Sequence, residues 1–364
     1  MSAAGNHSKR TTITPVVALL LLAGVWGRQL PPLLVAVVAA LLVGAVLVAV
    51  HHAEVVAHRV GEPYGSLILA IAVTVIEVGL ILSLMLSGGP DAATLARDTV
   101  FAAVMITCNG IVGLCLVVGA LRHHVVAFNA EGSSGALATV AALATLCLVL
   151  PSVTTSTPGG TFSAAQLGFA AVVSLALYSV YVFVQTVRHR DYFLPVEPAD
   201  GQERPEEHLP PPSNRTTVLS LVLLIMSLVA VVGLAKTVSP AIEAGVSAIG
   251  APLTVVGVAI ALVVLLPETL AAVRAARRDR LQTSYNLALG SALASIGLTI
   301  PVLAAAMIWL PGPLVLGLSG TEMILLALSM LVSTLTVVAG RATVLQGAVH
   351  LLIFASFLFT AVAP

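Results

Sequence analysis

The sequence predicts an all-α polytopic membrane protein, and three observations carry that prediction. Of 364 residues, 59% are hydrophobic and only 9% charged, with a mean hydropathy of +1.08. So little polar surface cannot cover a water-soluble protein of this size. The apolar residues gather into about eleven stretches, most of them near the ~20 residues that a helix needs to cross ~30 Å of hydrocarbon. The basic residues then fall on one side of those crossings.

The stretches run over 12–27, 30–50, 65–88, 99–121, 135–157, 164–187, 217–238, 247–271, 283–309, 313–338 and 342–363. The first is the shortest and follows Lys9 and Arg10; no small-residue cleavage site stands apart from the helices, so it is not expected to be a removed leader. With the N-terminus cytoplasmic, only Arg28, Arg97 and Lys236 of the 16 Lys and Arg residues fall outside. Cytoplasmic loops retain Lys and Arg, so eleven spans, N-terminus inside and C-terminus outside, is the expected topology. A formal net charge of zero gives no sign of a nucleic-acid partner, and none is expected. Cys108, Cys115 and Cys147 all fall in apolar stretches and read as small hydrophobes rather than as a disulfide or metal framework.

One long polar stretch, Arg188 to Arg215, holds Pro195, Pro198, Pro205, Pro210, Pro211 and Pro212 among several acids, and it can bury no core. Residues 188–216 are therefore expected to be a solvated cytoplasmic linker. Residues 1–29 form a tail and accessory first span, leaving five spans in 30–187 and five in 217–364. An odd number per group makes the second enter the membrane in the opposite sense, the arithmetic of an inverted repeat. Weak internal similarity agrees: Thr99 to Leu114 can be laid on Thr283 to Leu298, with Thr107 meeting Ser291 and Gly113 meeting Gly297. A shift of two residues pairs Asn109 with Ser295 instead.

Glu77 and Glu268 lie inside apolar stretches, about half a chain apart. A carboxylate in hydrocarbon costs several kcal/mol unless it is protonated or bound to a cation, which makes it a functional residue by default. Thr74 stands three residues before Glu77 and shares its helical face, while Pro267 before Glu268 frees a backbone carbonyl. Thr107, Asn109, Ser291 and Ser295 on the following helices add oxygen ligands. Oxygen-only coordination suits Ca²⁺, Na⁺ or a proton rather than Zn²⁺ or Cu⁺. Glu54, His58 and Glu62 at the cytoplasmic mouth and Glu322 near the outer side are candidates for a proton pathway. His52, Glu54 and His58 could also be read as the metal ligands of an intramembrane hydrolase, although their order is not H-E-x-x-H.

The runs AHRVGEPYGSLILAIAVTVIEV (Ala57 to Val78) and LLPETLAAVRAARRDRLQTSYNLALGSALASIGLTIP (Leu265 to Pro301) give a family resemblance. LRHHVVAFNAEG (Leu121 to Gly132) and GRATVLQGAVHL (Gly340 to Leu351) extend it. Through these motifs the chain resembles the calcium/proton exchanger (CAX) family of the cation/calcium exchanger superfamily, and its bacterial ChaA-type branch. The resemblance implies a secondary antiporter in a bacterial inner membrane, not an enzyme. It would move Ca²⁺, or Na⁺ or K⁺, against protons, with Glu77 and Glu268 binding cation and proton alternately and with no cofactor. The sequence departs from the wider family's G-N-x-x-E signature: Val73-Thr74 precedes Glu77, Val264-Leu265 precedes Glu268, and Thr269 stands where a histidine often follows. Fewer side-chain amides then line the site, so strict selectivity for Ca²⁺ is not expected, and a Na⁺ or K⁺/H⁺ antiporter is the alternative. Rocking of one five-helix group against the other is the expected route to alternating access.

Overall fold

The computed structural model describes residues 2–28, 30–61, 64–86, 93–194, 212–248, 250–310 and 312–364, and it is helical almost throughout. Helices α1 (Ser2–Val25), α2 (Pro32–Val60) and α3 (Tyr64–Met85) come first. The next crossing, Leu95–His123, consists of α4 (Leu95–Met105), a π-helical turn (Ile106–Ile111) and α5 (Val112–His123). Then come α6 (Ala130–Ala144), a second π turn, α7 (Leu150–Val153) and α8 (Ala164–Phe183). The second half holds α9 (Asn214–Ala248), α10 (Thr254–Val264), α11 (Leu266–Arg277), α12 (Leu281–Ala306), α13 (Gly320–Val338) and α14 (Val344–Val362).

Among the described residues nine helical segments are long and apolar enough to cross a membrane, and a tenth follows if α10 and α11 are one interrupted span. The first expected span, 12–27, falls mostly on α1, which ends at Val25 and is not among those nine. The expected continuous span 247–271 is corrected: the helix breaks at Leu265, where ψ is 0°, and restarts with Pro267 in its first turn. Proline has no N–H and is best accommodated in the first turn of a helix, which suits Pro267 to that restart. The expected span 313–338 begins later, at Gly320, because Ser319 and Glu322 form a capping box there. Ser163 with Gln166 and Thr343 with Gln346 start α8 and α14 in the same way. Glu62 and most of the 188–216 linker lie outside the described residues.

The chain forms two compact units, Met1–Leu95 with Pro210–Val264 and Ala96–Leu209 with Leu265–Pro364. Each takes helices from both halves of the sequence, so compactness does not follow the five-helix groups. In the first unit α2 packs along α9, and α3 packs on both. Its core includes Ala45, Ala49, Ala53, Ile76, Ala230 and Leu234, all fully buried. The close approach of α3 to α9 is set by Gly79: a Cβ there would stand 2.5 Å from Val232 Cγ2. Ser83 one turn on donates to Gly79 O at 2.6 Å.

In the second unit two relations occur twice with the halves exchanged. The third crossing of each half packs on the fifth of the other, α12 on α8 and α5 on α14. The connections do the same. Strand β1 (Val126–Ala127) pairs antiparallel with β2 (Arg341–Ala342), and Thr161 bridges Val315. The first ladder joins a third–fourth connection to a fourth–fifth one; the second bridge joins the converse pair. This reciprocity is what two related halves of opposite orientation produce.

Candidate functional site

In the first unit α3 carries Thr74 and Glu77 on its buried side, with relative exposures of 5% and 3%. Glu77 lies two residues before the Gly79–Val232 contact, so its stretch of α3 runs close against α9. Thr74, like Thr99 of α4, differs from the threonines that bond back to their own helix. Thr107 and Thr269 each donate to the carbonyl four residues earlier, at 2.7 Å in both cases. The buried Thr74 hydroxyl has no hydrogen-bond partner, one turn before the glutamate. A buried hydroxyl without a partner costs ~1–3 kcal/mol, so this oxygen is available for a further polar contact.

In the second unit Glu268 sits in the first turn of α11 and is 9% exposed. The aligned N–H groups at that helix start favour a negative charge. Helix α11 packs on α12, on α5 and on the π turn. The structure thus gathers Glu268, Thr107, Asn109, Ser291 and Ser295 onto adjoining elements of one unit. Thr107 and Asn109 are fully buried, Ser295 is buried and Ser291 is partly exposed.

Asn109 is engaged further than the sequence implies. Its Nδ2 donates to Ser329 Oγ at 2.9 Å, and its Oδ1 lies 3.2 Å from His350 Nδ1. His350 Nε2 in turn lies 3.2 Å from Thr336 Oγ1, and Ser329 Oγ donates to Leu325 O at 2.7 Å. With Asn109 in this orientation, one neutral tautomer satisfies every member: Thr336 donates to Nε2, and Nδ1–H donates to Asn109. The crossing that delivers His350 is made by two glycines, for a Cβ on Gly113 would stand 3.0 Å from Gly347 O. Small residues of this kind let helix backbones meet closely in a membrane.

Sequence reasoning missed Ser329, Ser333, Thr336 and His350. A signal existed: in α13 Ser329, Ser333 and Thr336 stand four and three apart and form one buried polar stripe. His350 lay inside a resemblance motif without being singled out.

The remaining candidates part company. His52 is buried, whereas Glu54 and His58 are exposed, so the three do not form one face of α2. His52 Nε2 meets Thr11 O at 3.1 Å. Pro15 lacks the N–H that would otherwise bond that carbonyl, so the histidine serves it instead. Among the described residues no group of three His, Cys, Asp or Glu side chains is placed to hold a metal ion. The hydrolase reading therefore has no ligand cluster there. Glu322 Oε2 accepts from Ser319 N–H at 2.7 Å, a capping role rather than a vestibule one. Cys108, Cys115 and Cys147 are free and buried.

The comparisons agree with this architecture. The model of the family "sodium/calcium exchanger protein" matches residues 30–187 and 219–363. The y4hA protein of Sinorhizobium fredii is 51% identical over 326 residues, covering 90% of this chain and 88% of its own length. The sodium-potassium/proton antiporter ChaA of Escherichia coli is 35% identical over 360 residues, covering 98% and 96%. The solved structure of native YfkE shares the fold at a TM-score of 0.73 and 16% identity, covering 98% of this chain and 99% of that one. That of the H⁺/Ca²⁺ exchanger CAX does so at 0.72 and 15%, covering 96% and 86%. With buried carboxylates on interrupted or tightly crossed helices and matches over both halves, the chain belongs to the sodium/calcium exchanger family of integral membrane cation transporters.

Proposed function

We propose that this protein is a secondary antiporter exchanging Ca²⁺ for H⁺, with Glu77 and Glu268 each binding proton and cation in competition. The observation that carries the reading is the buried Glu77 with the unpartnered Thr74 hydroxyl one turn before it. A carboxylate surrounded by hydrocarbon is stable when protonated or when bound to a cation, and unstable when empty and charged. If only occupied forms reorient, transport of one ion becomes obligatorily coupled to the other. Two carboxylates match the charge of one divalent ion or two protons, which makes electroneutral exchange the minimum stoichiometry. A second reading is exchange of Na⁺ or K⁺ for H⁺. The Escherichia coli relative is a sodium-potassium/proton antiporter, and Thr74 and Leu265 rather than asparagine stand three residues before the two glutamates; both favour it.

The test uses everted vesicles in which Ca²⁺, Na⁺ or K⁺ dissipates an imposed pH gradient. Glu77→Gln and Glu268→Gln each abolish the exchange at unchanged protein level; preserved exchange in either would remove that residue from the mechanism. Dissipation by Na⁺ or K⁺ but not by Ca²⁺ selects the second reading.

A further inference from the structure

The Asn109–His350 network is complete, yet two hydroxyls beside it are not. Tyr285 of α12 and Ser333 of α13 are 3% and 5% exposed, and neither side-chain oxygen has a hydrogen-bond partner. Both line the same cavity of about 10 Å³, which His350 and Cys108 help to close. Burying a hydroxyl without a partner is costly, and two at one void have a common remedy. The volume is near the lower limit of ~10–15 Å³ that one water needs, and a buried water takes 2–4 polar partners. An apolar void of this size would stay dry; this one has two hydroxyls and a thiol on its wall.

We propose that this cavity is the binding site of a single internal water, bridging the Tyr285 hydroxyl to Ser333 Oγ and thereby tying α12 to α13. Its place gives it a positioning role. Both ring nitrogens of His350 are already engaged with Asn109 and Thr336, so the ring forms a wall and the water bonds the two hydroxyls. Tyr285 also stacks on Phe128, with ring centroids 4.5 Å apart. The start of α12 is thus fixed from both sides of the ring. Ser291 and Ser295 lie one and a half and three turns further along the same helix. Losing the water would free the register of those two candidate ligands relative to the π turn that carries Thr107 and Asn109.

The test is X-ray radiolytic hydroxyl labelling of the full-length protein in H₂¹⁸O, which modifies buried side chains that adjoin bound water. Tyr285 and Cys108 are expected to be labelled despite their burial. Ser333→Val, which fills the cavity with a methyl group, should lower Tyr285 labelling at least fivefold. Tyr285→Phe provides a second variant, read at Cys108. Absence of label at both side chains in the unmodified protein, while exposed residues react, would overturn the proposal. So would undiminished label in both variants. In vesicles Ser333→Val should raise the cation KM about fivefold, the weight of one hydrogen bond, at unchanged maximum rate. An unchanged KM would overturn the positioning role. This kinetic arm rests on the exchange reading; the labelling arm needs no transport, so the two can fail separately.

Discussion

Replacing Thr74 by valine separates a ligand from a structural residue, because the structure assigns its hydroxyl no partner to lose. The swap keeps the branched shape and exchanges an oxygen for a methyl group at a position 5% exposed. In a typical buried threonine the change breaks a hydrogen bond and costs stability. Here the oxygen is buried without a partner. Removing it relieves a desolvation penalty of ~1–3 kcal/mol, so thermal stability in detergent should stay level or rise. If the hydroxyl completes the coordination of a cation at Glu77, its loss weakens a charge-assisted contact worth ~1.5–3 kcal/mol. That corresponds to a rise in cation KM of roughly 10- to 100-fold. The assay is cation-dependent dissipation of a pH gradient in everted vesicles, beside thermal unfolding of the same variant. A variant that unfolds at lower temperature while its KM is unchanged would refute the reasoning on both counts.

Gly79→Ala should disturb the α3–α9 crossing, since the new Cβ would meet the stiff, β-branched Val232 at 2.5 Å. A loss of ~1–3 kcal/mol is expected in thermal unfolding. Val232→Ala should restore most of it; additive losses in the double variant would show that this contact is not the cause. Asn109→Ala removes the group that satisfies both Ser329 and His350 Nδ1. It should destabilise by ~2–4 kcal/mol, measured as a lowered unfolding temperature, and should be non-additive with His350→Ala. Ser319→Ala removes the acceptor for Glu322 N–H at the start of α13 and should cost ~1 kcal/mol with transport unchanged, which vesicle flux at matched protein levels checks. A transport defect there would return Glu322 to the proton pathway.

How much was legible can be judged from single residues. That Glu77 and Glu268 would be buried acids was legible because hydrocarbon makes a carboxylate conspicuous: the same chemistry that costs energy in the fold breaks the apolar pattern of the chain. Pro267 announced a disturbance beside Glu268, and the helix indeed breaks there. Its consequence, two helices rather than one kinked span, depended on where the chain could restart. Asn109 was recognised as polar and buried, but its partners lie more than two hundred residues away in Ser329 and His350. Glu322 was drawn inside a span because a capping box and an intramembrane acid look alike when the helix start is placed seven residues early.

By itself, then, the sequence determined the solvent, the approximate spans and the costly carboxylates, because burial in lipid constrains composition residue by residue. The tertiary structure alone decided which helices meet. Glycines at 79, 113 and 347 are unremarkable in an apolar run, and only the facing backbones or side chains show why no Cβ fits. It also decided which buried polar groups are satisfied and which are not: Thr107 bonds its own helix, Asn109 finds α13 and α14, and Thr74, Tyr285 and Ser333 find nothing. Hydrogen bonds between distant segments depend on directions and distances of a few tenths of an ångström, and no linear pattern encodes those.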